Sequence, residues 1–266
     1  MDPAILLAID ERTVDRVART GGELANALGA RLVLAHVRGG GRSFNSSSGH
    51  EILDRAHDAL PAGVEPERVE VGTPAHRLAE LPSEVGAALI VAGTRGRGRL
   101  ASALRGSVSQ TLVRRASCPV LIVSDRAPVT DPAPPGFATD ERSTIVAGLD
   151  DSPESPVAAA FARELAQGLD DRLLIVRTHA AGAPPAYALQ AIAAKERARL
   201  MVIGARHGNR TRFPLSGSVV SQLPRLAPCP FVVVPEGADA TLGRAGEAEA
   251  RRAAADSGFE MALQWR

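Results

Sequence analysis

The sequence has 266 residues, 45% of them hydrophobic, with 31 Lys plus Arg against 30 Asp plus Glu. That length and apolar supply suit one large or two ordinary domains, and a net charge of +1 gives no general pull toward nucleic acid or an anionic membrane. Two cysteines are too few for a disulfide framework, and no apolar run reaches the roughly 18 residues of a membrane span, so a cytoplasmic protein without a signal peptide is expected.

Residues 5–9 (ILLAI) read as a short buried strand. Apolar spacing near 3.6 predicts a helix over 13–28, closed by Gly29. Residues 31–37 (RLVLAHV) form a second strand, and a Gly/Ser-rich loop follows to about Gly49. A helix over 51–60, a strand over 68–71 and a helix from Pro74, where proline suits the first helical position, come next. Residues 87–92 (AALIVA) read as another buried strand.

That strand leads into Gly93-Thr94-Arg95-Gly96, then nine residues, then Gly106-Ser107 and a helix from Val108. A strand, a Gly-rich loop and a helix N-terminus outline a phosphate site. Gly93 and Gly96 would let the backbone turn and approach a ligand closely. Gly106 and Ser107 would offer N–H groups and a hydroxyl at the positive end of the helix dipole. The alternative is a plain strand-to-helix loop with a capping serine. Arg95, Arg97, Arg99 and Arg105 surround the loop and could clamp phosphates, since Lys195 is the only lysine. The spacing is neither a Walker A loop nor the dinucleotide fingerprint.

Cys118-Pro119 then opens a β-branched run over 120–123, and residues 127–142, with Pro128, Pro132, Pro134 and Pro135, read as a linker. A strand over 144–149 restarts the pattern, so strands alternating with helices imply a parallel sheet with right-handed crossovers. Gly204, Gly217, Ser218 and Cys229 each lie 111 residues after Gly93, Gly106, Ser107 and Cys118 (204 − 93 = 111). A constant offset without insertion marks an internal duplication. The offset is 141 from Arg31 to Arg172, so about thirty residues (141 − 111) are absent from the second copy, the size of one helix and one strand. The expected domains are 1–127 with five strands, a linker over 128–142, 143–236 with four strands, and a tail over 237–266. Within the tail, 245–255 has helical composition, and Phe259, Met261 and Trp265 could dock on a domain or stay disordered.

The glycine spacing, the Cys-Pro-Val-Leu-Ile-Val strand and a first strand ending in Asp resemble the universal stress protein family, here in tandem. The first copy keeps the glycine motif. The second keeps the family's Asp-x-Ser-x-x-Ser as Asp150, Ser152 and Ser155, but has His207 where the first has Gly96. The resemblance implies two doubly wound, Rossmann-like α/β domains, the second lacking an edge strand. It further implies an ATP-binding protein with a regulatory role in stress, with or without Mg2+, hydrolysing ATP slowly at most. By resemblance Ala8, Asp10 and Val37 surround the adenosine, and Gly93, Arg95, Gly96, Gly106, Ser107 and Val108 hold the phosphates. Asp10 has a second reading, as a cap for the next helix. A second site would use Asp150, Gly204, Gly217 and Ser218. The alternative function is a structural or interaction protein that has lost nucleotide; an adenylating enzyme would carry a further catalytic motif, and none is present.

The six histidines show no metal-ligand spacing, and no catalytic residue can be placed. Cys118 and Cys229 read as buried, inert thiols beginning their strands. Both apolar runs after them suit strands joined side by side, so the two halves are expected to pack as an intramolecular pseudo-dimer. An edge left near residues 172–178 leaves room for a homodimer, and the regulated protein partner stays unknown.

Overall fold

A computed structural model describes residues 3–37, 49–71, 75–94, 108–124, 142–150, 152, 154–177, 185–205 and 219–242. The first half contains β1 (Ala4–Ile9), α1 (Val14–Leu28), β2 (Arg31–Val37), α2 (Gly49–Asp58), β3 (Glu67–Val71), α3 (Ala75–Val85), β4 (Ala87–Thr94), α4 (Val108–Arg115) and β5 (Val120–Ser124). The second contains β6 (Thr144–Leu149), α5 (Ser155–Gly168), β7 (Arg172–Arg177), α6 (Pro185–Lys195), β8 (Leu200–Ala205), α7 (Val219–Leu226) and β9 (Phe231–Pro235).

The nine strands among the described residues join one sheet in the order β3-β2-β1-β4-β5-β9-β8-β6-β7. Within each half every pairing is parallel. Period-2 alternation sends Ala4, Leu6 and Ala8 to one face of β1 and Ile5, Leu7 and Ile9 to the other, and both sets are buried. α1, α2 and α5 cover one face of the sheet; α3, α4, α6 and α7 cover the other. A sheet buried on both faces needs the near-continuous apolar runs that its strands show.

The halves meet where β5 and β9 pair antiparallel, with Val120 opposite Val233, Leu121 opposite Val232 and Ile122 opposite Phe231. The side-by-side pairing expected of the two apolar runs is present. The cysteines do not begin those strands, however. Each lies two residues earlier, in the bend that leads in, and both are buried. A second tie crosses the seam where Ser124 Oγ donates to the Pro224 carbonyl at 2.9 Å.

The strand orders also locate the missing unit. β6, β7, β8 and β9 stand as β1, β2, β4 and β5 do, and nothing among the described residues of the second half corresponds to α2 and β3. Arg31, at the start of β2, donates to Glu67 on β3 at 2.6 Å and to the Val85 carbonyl at 3.1 Å. Its counterpart Arg172 has no such strand beside it among the described residues and pairs with Glu196, which holds the place of Val85.

The start of the tail is not simply polar chain. Asp239 N–H donates to the Ser117 carbonyl at 2.8 Å and Leu242 N–H to Glu164 Oε2 at 2.6 Å. Ala240 and Leu242 are buried in the same core layer as α1 and α5. The segment over 236–242 is therefore a strap laid on that face of the sheet.

Candidate functional site

In the first half the chain leaves β1 toward β2 on one side and returns through β3 to β4 on the other. Ligands of doubly wound sheets bind outside the carboxyl ends of the strands at such a switch point. Ala8 faces Ala92 across β1 and β4, and Asp10 follows β1 directly. Val37 closes β2 beside this edge, and Val108 opens α4. Thus Ala8, Asp10, Val37, Gly93 and Val108 come to one end of the sheet. Arg95, Gly96, Gly106 and Ser107 lie outside the described residues, as do Gly217 and Ser218 in the second copy.

Asp10 has a structural task here. Its Oδ1 accepts from the N–H groups of Arg12 at 2.8 Å and Thr13 at 2.9 Å, which turns the chain into α1. That is the capping alternative raised from the sequence. Its other oxygen accepts nothing from the described residues. Asp150 does the same at the end of β6, where its Oδ1 accepts from Ser152 N–H at 3.0 Å and Ser155 Oγ at 2.9 Å. Ser155 Oγ accepts in turn from the Asp150 N–H at 3.0 Å. The Asp-x-Ser-x-x-Ser pattern is thus a closed hydrogen-bonded turn, while in the first half Arg12 stands in the position of Ser152 and offers only its backbone.

Gly93 corrects the sequence reading. It lies inside β4 and not in the loop, and it has no positive φ. Its lack of a side chain serves α1. An ideal Cβ on Gly93 would lie 2.2 Å from Thr13 Oγ1, at the helix entry. Gly204 also lies inside its strand, β8, but a Cβ there would stand 3.4 Å from the Cβ of Glu154, an ordinary contact. The first glycine is sterically required in one copy and not in the other.

Ser109 is a site residue that sequence reasoning missed. It is buried in the first turn of α4, and its Oγ donates to the Gly93 carbonyl at 2.6 Å. The bond fixes the N-terminus of α4 against the end of β4, the two elements that flank the glycine loop. The aligned residue in the second copy is Val220, so a serine–valine difference between the copies was the available signal. Thr13 and Thr94 bracket Gly93, and both hydroxyls are buried without a hydrogen-bond partner among the described residues. No cluster of three or more His, Cys, Asp or Glu able to hold a metal occurs among the described residues.

Residues 3–124 and 170–235 match the universal stress protein family. The chain belongs to that family. A universal stress protein of Mycobacterium tuberculosis is 42% identical over 91 residues, which is 34% of this chain and 28% of the relative. Another from the same organism is 34% identical over 137 residues, 48% of this chain and 40% of the relative. The chain thus spans well under half the length of these relatives. A universal stress protein structure from Archaeoglobus fulgidus matches 89% of this chain and 97% of its own at a TM-score of 0.67 and 17% identity, which establishes the fold. A universal stress protein of that organism in complex with dAMP is 26% identical, covering 47% of this chain and 98% of its own at a TM-score of 0.37. No helix among the described residues is long and apolar enough to cross a membrane.

Proposed function

We propose that this universal stress protein binds ATP in its first half and uses the bound nucleotide to regulate a partner during stress. The observation that carries the reading is the switch-point edge, where β4 runs into the Gly93-x-x-Gly96 spacing and α4 begins after Gly106-Ser107. Backbone N–H groups at a helix N-terminus favour an anion, and the dipole of α4 adds to them. Ser109 holds that N-terminus in place. The second carboxylate oxygen of Asp10 would stand at the end of β1 for the adenosine, with Ala8 and Val37 beside it. Arg95 would meet the phosphates, and Mg2+ would enter with the nucleotide.

The second half is the weaker site in this reading. Asp150, Gly204, Gly217 and Ser218 keep the polar positions, but His207 brings a side chain to the place of Gly96. Glycine tolerates the left-handed backbone that such loops use, and histidine does so less readily.

The competing reading is an interaction protein without nucleotide. The commitment of Asp10 Oδ1 to capping α1 favours it. Mass spectrometry of small molecules released from the purified native chain separates the two. Adenine nucleotide at a stoichiometry near one per chain supports the proposal. A chain that carries none, and whose melting temperature does not move with added ATP, supports the competitor.

A further inference from the structure

The two halves offer different chemistry at the same point of the fold. Thr13 precedes α1 and Glu154 precedes α5, and each starts its helix with the same bond: the Thr13 carbonyl accepts from Val17 N–H and the Glu154 carbonyl from Ala158 N–H, both at 3.0 Å. Each also lies against the first glycine of its own half. The nearest atoms to an ideal Cβ on Gly93 belong to Thr13, and the nearest to one on Gly204 belong to Glu154. Thr13 and Glu154 are therefore equivalent. Both stand at the carboxyl ends of their strands, the side on which a doubly wound sheet takes its ligand.

Around Gly93 the first half gathers three buried hydroxyls, those of Thr13, Thr94 and Ser109. Ser109 Oγ is committed to the Gly93 carbonyl, but Thr13 and Thr94 have no partner among the described residues. A buried hydroxyl left unpaired costs free energy until a group accepts from it, as a phosphate oxygen would. The matching residues around Gly204 are Glu154, Ala205 and Val220 (94 + 111 = 205; 109 + 111 = 220). At these three positions no hydroxyl remains. In their place stands one carboxylate, on a residue 6% exposed, whose Oε2 is enclosed and accepts nothing from the described residues. The positive end of α5 makes that charge tolerable.

We infer that the Glu154 carboxylate closes the second half to phosphate-bearing ligands, so that the duplication yields one site for anions and one that refuses them. The inference rests on the reading that the first half binds ATP at the matching edge. A triphosphate brought to the end of β8 would meet a like charge inside the protein, where water and salt screen it little. It would also find none of the three hydroxyls to donate to it. The same approach in the first half meets Thr13 and Thr94, whose hydroxyl protons can rotate toward an anion. The discrimination is electrostatic, and it acts apart from the bulk that His207 brings in place of Gly96.

Calorimetric counting of bound ATP on three full-length chains tests this: the native chain, His207→Gly, and His207→Gly with Glu154→Gln. The first change removes the glycine-loop difference between the halves. The second removes the charge and keeps the shape of the side chain. His207→Gly should bind no more ATP than the native chain, and the double variant, with native circular dichroism, should bind one more. The result is a difference between chains. A native chain that binds no ATP therefore speaks against the first-half site, while the gain in the double variant still decides the role of Glu154. An added ATP in His207→Gly alone overturns the inference, and so does a double variant that gains none. Should Glu154→Gln fail to fold, Glu154→Thr, which copies the first half, takes its place in the same count.

Discussion

Thr13 occupies the space that a side chain on Gly93 would need. The hydroxyl at the entry of α1 lies 2.2 Å from an ideal Cβ on that glycine, and the Thr13 Cβ lies at 2.4 Å. The glycine that the motif places beside a ligand is thus first a packing requirement between β4 and α1. Gly93→Ala should destabilise the chain by about 1–3 kcal/mol, the usual cost of overpacking a tight interior. Gly204→Ala should cost much less, because its nearest neighbour stands at 3.4 Å. Urea unfolding of the two variants tests the contrast, and equal losses would contradict it.

Two residues of the second half hold left-handed backbone where the first half has glycine. Asp170, with φ 52°, matches Gly29, and Arg197, with φ 48°, matches Gly86. Each side chain strains its turn by roughly 1–2 kcal/mol relative to the right-handed form. Arg197→Gly should therefore raise stability by about 1 kcal/mol. Asp170→Gly should raise it less, since aspartate tolerates this region better than arginine. A lower melting temperature in Arg197→Gly would contradict the strain argument.

Asp171 and Arg199 form an ion pair at 3.3 Å with side chains 0% and 2% exposed. The pair closes over the start of β6: Asp171 Oδ1 accepts from Ser143 N–H at 2.8 Å, and Arg199 N–H donates to the Thr144 carbonyl at 2.9 Å. Breaking a buried pair from one side leaves a charge stranded and costs about 3–5 kcal/mol. Asp171→Ala and Arg199→Ala should each fall in that range. The double variant, which copies Ala30 and Ala88 of the first half, should cost less than the sum of the two. Additive losses would mean the partners do not interact.

Burial pushes the Cys118 thiol up to about 12, with the Asp239 carboxylate adding to it, and burial raises Cys229 as well. The thiolate is the reactive form. Neither cysteine should react with iodoacetamide at pH 8 in the native chain, and both should react once it is denatured. Rapid native labelling of either would contradict the packing described.

Glu164, which holds the strap through Leu242, titrates above its ordinary 4.5 because it is buried; the Leu242 N–H opposes that rise and Asp239 adds to it. The native chain thus binds this proton more tightly than the unfolded chain does. The contribution to stability is full below pH 4.5 and is lost as pH rises through the native value. Glu164→Gln keeps an acceptor for Leu242 and carries no charge. It should stabilise the chain at pH 7 and lose that advantage below pH 4.5. An advantage that grows on acidification would reverse the sign.

The strands and their duplication were legible because parallel strands covered on both faces must be continuously apolar, and because the 111-residue offset is unbroken from Gly204 to Cys229. The lost helix and strand followed from the change of offset alone. The Thr13–Gly93 contact, the Ser109 bond and the strap were hidden, since each joins residues far apart in sequence without changing any local period. The Asp171–Arg199 pair left a trace, a double departure from Ala30 and Ala88, that only a residue-by-residue alignment of the two halves brings out. For Asp10 the sequence offered both a ligand contact and a helix cap, and the hydrogen bonds of Oδ1 display the second.

Calorimetry of the full chain with ATP, with AMP, and with ATP on Gly96→His tests whether the first half binds nucleotide through its phosphates. One ATP site is expected, with AMP weaker by about a hundredfold or more because at least two charge-assisted contacts at roughly 1.5–3 kcal/mol each are lost. Gly96→His, which copies the second half, should remove most of that binding. No heat with ATP, equal affinity for AMP and ATP, two equal sites per chain, or full binding in Gly96→His would contradict it.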